Sequence, residues 1–227
     1  MNKINIVQLG ANAGDDHVSD FIRDYKELIN VALLVEPIEE VANECREFYK
    51  NRGDNNVQVH TCAISNSDGT AELTYIPGQT RLSSLEPGMH IDFLNPATTT
   101  MTVDTLTLDS LFNKYKLNKV DVLFIDTEGF DENILSDYNF EKYQTGFIVW
   151  EWNHSQRRNI VQHVKLIERL QKHGYTIIQE GMNMIATKIN TTEYKTTIGE
   201  RHRGWSNNAV SALPSNDNAT IEGVNLQ

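Results

Sequence analysis

Two carboxylates two residues apart, Asp126 and Glu128, close the apolar run "VLFIDTEG". At the end of a buried strand such acids reach the same side, provided the chain stays extended. A carboxylate placed there can hold an acceptor hydroxyl in line for attack and take its proton. Asp126 suits positioning and either acid suits the general base. The alternative is that Asp126 only holds a cofactor and Glu128 caps a helix beginning near Asp131. Glu151 ends the next strand-like run in "VWEWNH", and His154 follows it as a further candidate base. Three carboxylates at adjacent strand ends are oxygen donors of the type Mg²⁺ and Ca²⁺ prefer. A divalent metal is nevertheless not expected, because the chain lacks a compact ligand motif such as H-E-x-x-H.

A second constellation lies at the start of the chain. "VQLGANAGDD" takes an apolar run into a loop bounded by Gly10 and Gly14, with Asp15 and Asp16 after it. The G-x-G-x-x-G dinucleotide fingerprint and the P-loop Lys-Ser/Thr are both missing, and two acids repel a pyrophosphate. A zwitterionic sulfonium ligand without phosphate tolerates them. The next strand-like run, "ALLVEP", ends in Glu36, and an acid at that strand end can accept hydrogen bonds from both ribose hydroxyls. Loop and acid together point to a nucleoside site.

The elements that must carry these residues alternate along the chain. Ile4–Leu9, Val31–Val35, Val57–Ile64, Val120–Ile125 and Phe147–Trp150 read as strands, near-continuously apolar as in a sheet covered on both faces. His17–Leu28, Glu39–Lys50, Leu106–Tyr115 and Ile160–His173 carry helical spacing, the last ended by Gly174. This rhythm predicts a doubly wound α/β fold with a mostly parallel sheet and ligands at the carboxyl ends of its strands. Tyr175–Gln179 and Met182–Thr187 flank Glu180-Gly181 as an antiparallel hairpin, which favours a seven-stranded methyltransferase sheet over a dehydrogenase. Asp68-Gly69 reads as a hairpin turn. Tyr75–Thr102 fits the rhythm poorly and reads as a lid or insertion. The domain is expected over 1–190, with a polar extension over 191–227 that collects Arg201, Arg203 and Trp205.

Composition narrows the function classes. The 227 residues carry a formal charge of −11 and are 39% hydrophobic, enough for one domain with a sizeable core. Such a charge argues against general nucleic-acid binding or attachment to an anionic membrane. Without an eighteen-residue apolar stretch or a signal-peptide core, the expectation is a soluble, cytoplasmic protein. Cys45 and Cys62 lack metal or redox spacing and are expected to be reduced packing residues. His163 and His173 are expected to face solvent.

"VQLGANAGDD", "LLVEPIEE", "VHTCAISNSDGTAEL", "SSL", "VDTLTLDSLF", "VDVLFIDTEGFDENIL" and "IVWEW" follow one another over residues 4–188. In order and spacing they resemble the FkbM-like methyltransferases, whose motifs look like D-V-G-A-N-x-G, E-P, A-L-S-x-x-D-G and K-I-D-x-E-G. The resemblance implies a Rossmann-like class I methyltransferase fold and transfer of a methyl group from S-adenosyl-L-methionine, typically to a hydroxyl oxygen. It also implies that Gly10, Ala11, Asn12 and Gly14 form the cofactor loop, that Glu36 binds ribose, and that Ala63, Ile64 and Ser65 flank adenine. Asp126 would sit at the fourth motif, and Ser83 and Ser84 would lie near the site. Gln8 stands where the family carries an acid that helps hold the cofactor's amino-acid end, and Phe124 where it often carries lysine. Gln8 can hydrogen-bond but not neutralise an ammonium, a task open to Asp15 or Asp16.

The leading expectation is therefore an O-methyltransferase acting on a small-molecule or saccharide acceptor. The other readings are a catalytically weak module that binds cofactor or a partner, and a nicotinamide-dependent oxidoreductase.

Overall fold

The structure is a computed structural model describing residues 3–86, 97–152 and 160–188. Its strands are β1 (Ile4–Leu9), β2 (Ile29–Glu36), β3 (Val57–Thr61), β4 (Ala63–Ile64), β5 (Gly69–Ile76), β6 (Gln79–Ser84), β7 (Thr99–Leu106), β8 (Val122–Ile125), β9 (Phe147–Glu151), β10 (Thr176–Glu180) and β11 (Asn183–Thr187). Its helices are α1 (His17–Asp24), α2 (Glu39–Arg52), α3 (Leu108–Lys114), α4 (Asp131–Asp137), α5 (Phe140–Tyr143) and α6 (Ile160–Lys172).

Alternation along β1 shows why the main sheet forms. Val7 and Leu9 join Leu33, Val35, Leu123 and Ile125 in a core completed by α3, α4 and α6. Ile4 and Ile6 turn the other way, joining Ala32, Leu34, Val122 and Phe124 under α1 and α2. Each fully buried side chain of this size contributes about 1.5–3 kcal/mol, so the sheet is held from both faces. The strand order is β10-β11-β9-β8-β1-β2-β3. Neighbours from β3 through β9 run parallel, and β11 lies antiparallel between β9 and β10. The chain winds outward in both directions from the β1–β8 pair, which is where a doubly wound sheet opens its crevice. The doubly wound α/β fold and its terminal hairpin are thus as the sequence pattern predicts.

The expected strand over Val57–Ile64 is broken at Cys62. β3 pairs with β2 as far as Thr61, opposite Glu36, the last residue of β2; beyond this β2 has no backbone left to offer. β4 instead pairs with β7 in a second sheet, ordered β4-β7-β5-β6. Because β7 lies between β4 and β5, Asp68-Gly69 is not the turn of a hairpin. The Asp68 carboxylate accepts hydrogen bonds from the Thr107 amide at 2.7 Å and the Ser110 hydroxyl at 2.6 Å, bracing the start of α3. The described part of Tyr75–Thr102 completes β5, forms β6 and begins β7.

His163 also departs from expectation. It is 7% exposed, bonded through Nδ1 to Glu132 and stacked 5.3 Å from Trp152, because α6 turns this side toward α4. Cys45 and Cys62 are free and buried, and burial pushes both thiols up to about 12. Among the described residues no helix is long and apolar enough to cross a membrane. His154 and the polar extension, with Arg201, Arg203 and Trp205, lie outside the described residues.

Candidate active site

The site is built where β1 and β8 end side by side. The Asp126 amide donates to the Leu9 carbonyl at 3.0 Å, and the Gly10 and Ala11 amides both donate to the Val35 carbonyl at 2.9 Å. Gly10 has φ +78°, and a Cβ there would lie 1.8 Å from the Asp126 carbonyl oxygen. Only glycine permits both the conformation and the approach. Gly14, at φ +82°, backs onto α2, where a Cβ would meet Tyr49 at 2.8 Å and Cys45 at 3.0 Å.

Glu36 closes the loop from the neighbouring strand. Its Oε2 accepts the Asn12 amide and its Oε1 the Ile38 amide, each at 3.0 Å. Each oxygen keeps a second acceptor position, the requirement for gripping a vicinal diol. Glu36 is 3% exposed. Burial raises its pKa to about 7 and outweighs the two amide bonds, which act to lower it.

A cleft opens between these elements. Gly10, Asn12 and Glu36 line one side, Asp126, Thr127 and Glu128 another, and Cys62, Ala63, Ile64, Leu73 and Leu85 give an apolar wall. β6 adds Thr80, Arg81 and Ser83. Arg81 donates to Asp15 Oδ1 at 2.6 Å, and the Ser84 hydroxyl donates to the Glu128 carbonyl at 2.7 Å. β6 is thereby tied both to the glycine loop and to the turn after β8.

Of the residues expected at a cofactor, Gly10, Asn12, Glu36, Ala63, Ile64 and Asp126 line this cleft. Ala11 is fully buried and supports the loop from behind, as Gly14 does. Ser65 lies instead on an adjoining hollow that shares Ile64. Gln8 is buried behind the loop, where its Nε2 donates to Asp16 Oδ2 at 2.6 Å and its Oε1 has no partner among the described residues.

The chain does not stay extended after Asp126. Glu128 has φ +53° and Gly129 φ +99°, yet Asp126 and Glu128 still share the cleft. A non-glycine residue in this region costs about 1–3 kcal/mol, and the bond from Ser84 to the Glu128 carbonyl holds it there. Asp126 is exposed where it opens into the cleft. Desolvation by the protein packed around it pushes its pKa upward, with the charges of Asp131, Glu128, Glu151 and Asp16 adding to the effect, while water on the open side screens part of the shift. Asp131 is 1% exposed and is likewise raised, to about 7 by burial, although its Oδ1 accepts the Thr127 amide at 2.7 Å and hydroxyl at 2.5 Å. The N-cap of α4 is Phe130, without a side-chain bond, so Glu128 does not cap that helix. Glu151 ends β9 and acts on Asp126 and Asp131 through its charge. Among the described residues no group of three or more His, Cys, Asp or Glu is arranged to hold a metal ion.

Sequence reasoning missed Arg81, Thr80 and Leu73, which reach the cleft only through packing of the second sheet. It read Asp131 only as a helix start. The signal there was its position, five residues beyond Asp126 and behind a Gly-Phe turn.

Comparison with known proteins bears on the same residues. The sequence matches the methyltransferase FkbM domain over residues 8–177. The solved FkbM methyltransferase of Methylobacillus flagellatus KT is similar in fold, with TM-score 0.55 and 11% identity, over 82% of this chain and 43% of that one. The chain thus spans less than half the length of that relative. A precorrin-6y C5,15-methyltransferase from Geobacter metallireducens GS-15 aligns over 83% of this chain and 82% of its own, with 13% identity and TM-score 0.44. No curated protein matches the sequence. With glycine loop, strand-end glutamate and D-x-E-G turn all inside the matched span, the chain belongs to the FkbM methyltransferase family.

Proposed function

We propose that the chain is an S-adenosyl-L-methionine-dependent methyltransferase acting on a hydroxyl oxygen of a small-molecule or saccharide acceptor. The observation that carries this reading is that Asp126 and Glu128 line the same cleft as Gly10, Asn12 and Glu36. The residues fit the cofactor: Glu36 keeps two acceptor positions for ribose hydroxyls, Ala63, Ile64 and Leu73 offer a slot for adenine, and Gly10 leaves room that a side chain would fill. When bound, the cofactor supplies an electrophilic methyl group on a sulfonium centre.

The chain's own residues do the rest. Asp126 and Glu128 hold the acceptor hydroxyl, and the one nearer the oxygen accepts its proton. Matching the base to near-neutral pH is worth about 10²–10⁴ in rate. Saccharide as the acceptor class rests on the family resemblance.

The test pairs calorimetric titration of S-adenosylmethionine, with NAD as control, with transfer of a labelled methyl group to a panel of hydroxylated acceptors. Asp126→Asn or Glu128→Gln should lower turnover by at least about a hundredfold while cofactor affinity stays within about threefold. A folded protein that binds no S-adenosylmethionine would overturn the reading. Gln8 favours one second reading, a module that binds cofactor or a partner without turnover; cofactor binding with no transfer to any acceptor would support it. Binding of NAD alone would revive an oxidoreductase.

A further inference from the structure

Resting on the cofactor reading above, we infer that Arg81, on β6, is the residue that recognises the carboxylate on the cofactor's amino-acid end. Arg81 and Ser83 stand two residues apart on β6 and both line the cleft, as side chains on one face of a strand do. From that wall the Arg81 side chain reaches the glycine loop, where its Nη2 donates to Asp15 Oδ1 at 2.6 Å. Gly10 and Asn12 of the same loop line the cleft as well. The guanidinium therefore spans from β6 to the loop that holds the ligand.

Charge assigns its task. Glu36, Asp126 and Glu128 line the cleft, and among the described residues that line it Arg81 is the one cation. A carboxylate entering beside three acids is repelled unless a cation meets it. S-adenosylmethionine brings such a carboxylate to every binding event, whereas a hydroxylated acceptor needs none. Thr80 and Ser83 beside Arg81 can add hydroxyl hydrogen bonds, but neutral donors do not offset a full charge. The bond to Asp15 does not consume Arg81. It takes one of five N–H donors, and both side chains of the pair are exposed, so water screens it. What the bond supplies is direction, turning the planar fork toward the loop with donors left for a second carboxylate.

Three ligands that differ only in the amino-acid end separate this from a general effect on the site. S-adenosylhomocysteine carries both ammonium and carboxylate, its decarboxylated analogue keeps only the ammonium, and 5′-methylthioadenosine has neither. Each would be titrated calorimetrically into the wild type, Arg81→Gln and Arg81→Lys, with folding followed by circular dichroism melts. Arg81→Gln should weaken S-adenosylhomocysteine by about tenfold or more, equivalent to about 1.4 kcal/mol, and leave the other two ligands within about twofold. Arg81→Lys should recover part of the loss, because it restores the charge without the fork. Equal weakening of all three ligands would mean that Arg81 only shapes the cleft, and an unchanged affinity for S-adenosylhomocysteine would mean that the carboxylate is held elsewhere; either result overturns the inference. A folded wild type that binds none of the three would sink the methyltransferase reading itself and this inference with it.

Discussion

Gln8 and Phe124 are register partners on β1 and β8, and so stand side by side on the sheet face beneath α1. The resembling family carries an acid at the first position and often a lysine at the second. Here an amide and an aromatic ring occupy the two places, and the Phe124 ring packs edge-on against Phe21 at 5.8 Å. The two departures from the family pattern are therefore neighbours across one strand pair. Gln8→Asp alone would put an unpaired carboxylate next to Asp16 and should cost about 3 kcal/mol or more. The double substitution Gln8→Asp with Phe124→Lys should cost less than the sum of the single changes, by about 1 kcal/mol or more. Urea unfolding of the four proteins measures the difference, and additivity would mean that the positions are independent.

Stability should fall as pH rises from about 5 to 8. Glu36, Asp126 and Asp131 are raised to about 7, 8 and 7 in the folded protein, while unfolded carboxylates titrate near pH 4. Between those limits these three groups bind more protons in the folded state than in the unfolded one, so each step up in pH favours unfolding, against a smaller opposing contribution from the lowered imidazoles of His17 and His60 below about pH 6.5. Glu39 and Asp68 are shifted the opposite way, by hydrogen bonds, and act below this window. Asp131→Asn keeps an acceptor for Thr127 and should flatten the decline and raise the melting temperature at pH 8. A wild-type melting temperature that climbs from pH 5 to 8 would refute the assignment.

Two glycines with similar backbone angles should respond differently to alanine. Gly53, φ +72°, ends α2 with nothing within 4 Å of where a Cβ would stand, so Gly53→Ala should cost only about 1 kcal/mol of conformational strain. At Gly10 the same strain is joined by a 1.8 Å collision with the Asp126 carbonyl. Gly10→Ala should lose several times as much stability in urea unfolding, or fail to fold. Equal losses would show that the β1 and β8 ends can separate freely.

Arg81→Ala tests the tie between β6 and the glycine loop. The Arg81–Asp15 pair is exposed, with side chains 64% and 54% accessible, so its removal should change stability by less than about 1 kcal/mol. Because Arg81 lines the cleft, dissociation of a bound nucleoside should quicken. Stopped-flow release rates indistinguishable from wild type would mean that β6 does not restrain the ligand.

The parts of this protein legible in the sequence are those set by local spacing. The glycine loop, Glu36 and the acids after β8 all sit at the ends of apolar runs, so strand periodicity alone puts them at one edge of the sheet. Residues brought in by packing of distant segments left no such mark. Thr80 and Arg81 lie on a short polar strand whose address depends on β5 and β7. His163 shows the same limit on a helix. In α6, Ile160, Val161 and Val164 are 53%, 59% and 47% exposed while His163 is buried against Glu132, so the apolar residues do not mark the inward face at this end. The break at Cys62 was hidden because the apolar run continues across it, half-buried in β3 and buried in β4, in different sheets.

β11 is the last described strand along the chain, yet it lies inside the sheet, between β9 and β10. During synthesis, β9 therefore waits with an open edge at Phe147–Glu151, and β10 has no place to bind until Asn183–Thr187 has left the ribosome. A chain cut anywhere before Thr187 forfeits two strands rather than one, and the bare edge of β9 becomes a template on which truncated copies can pair with one another.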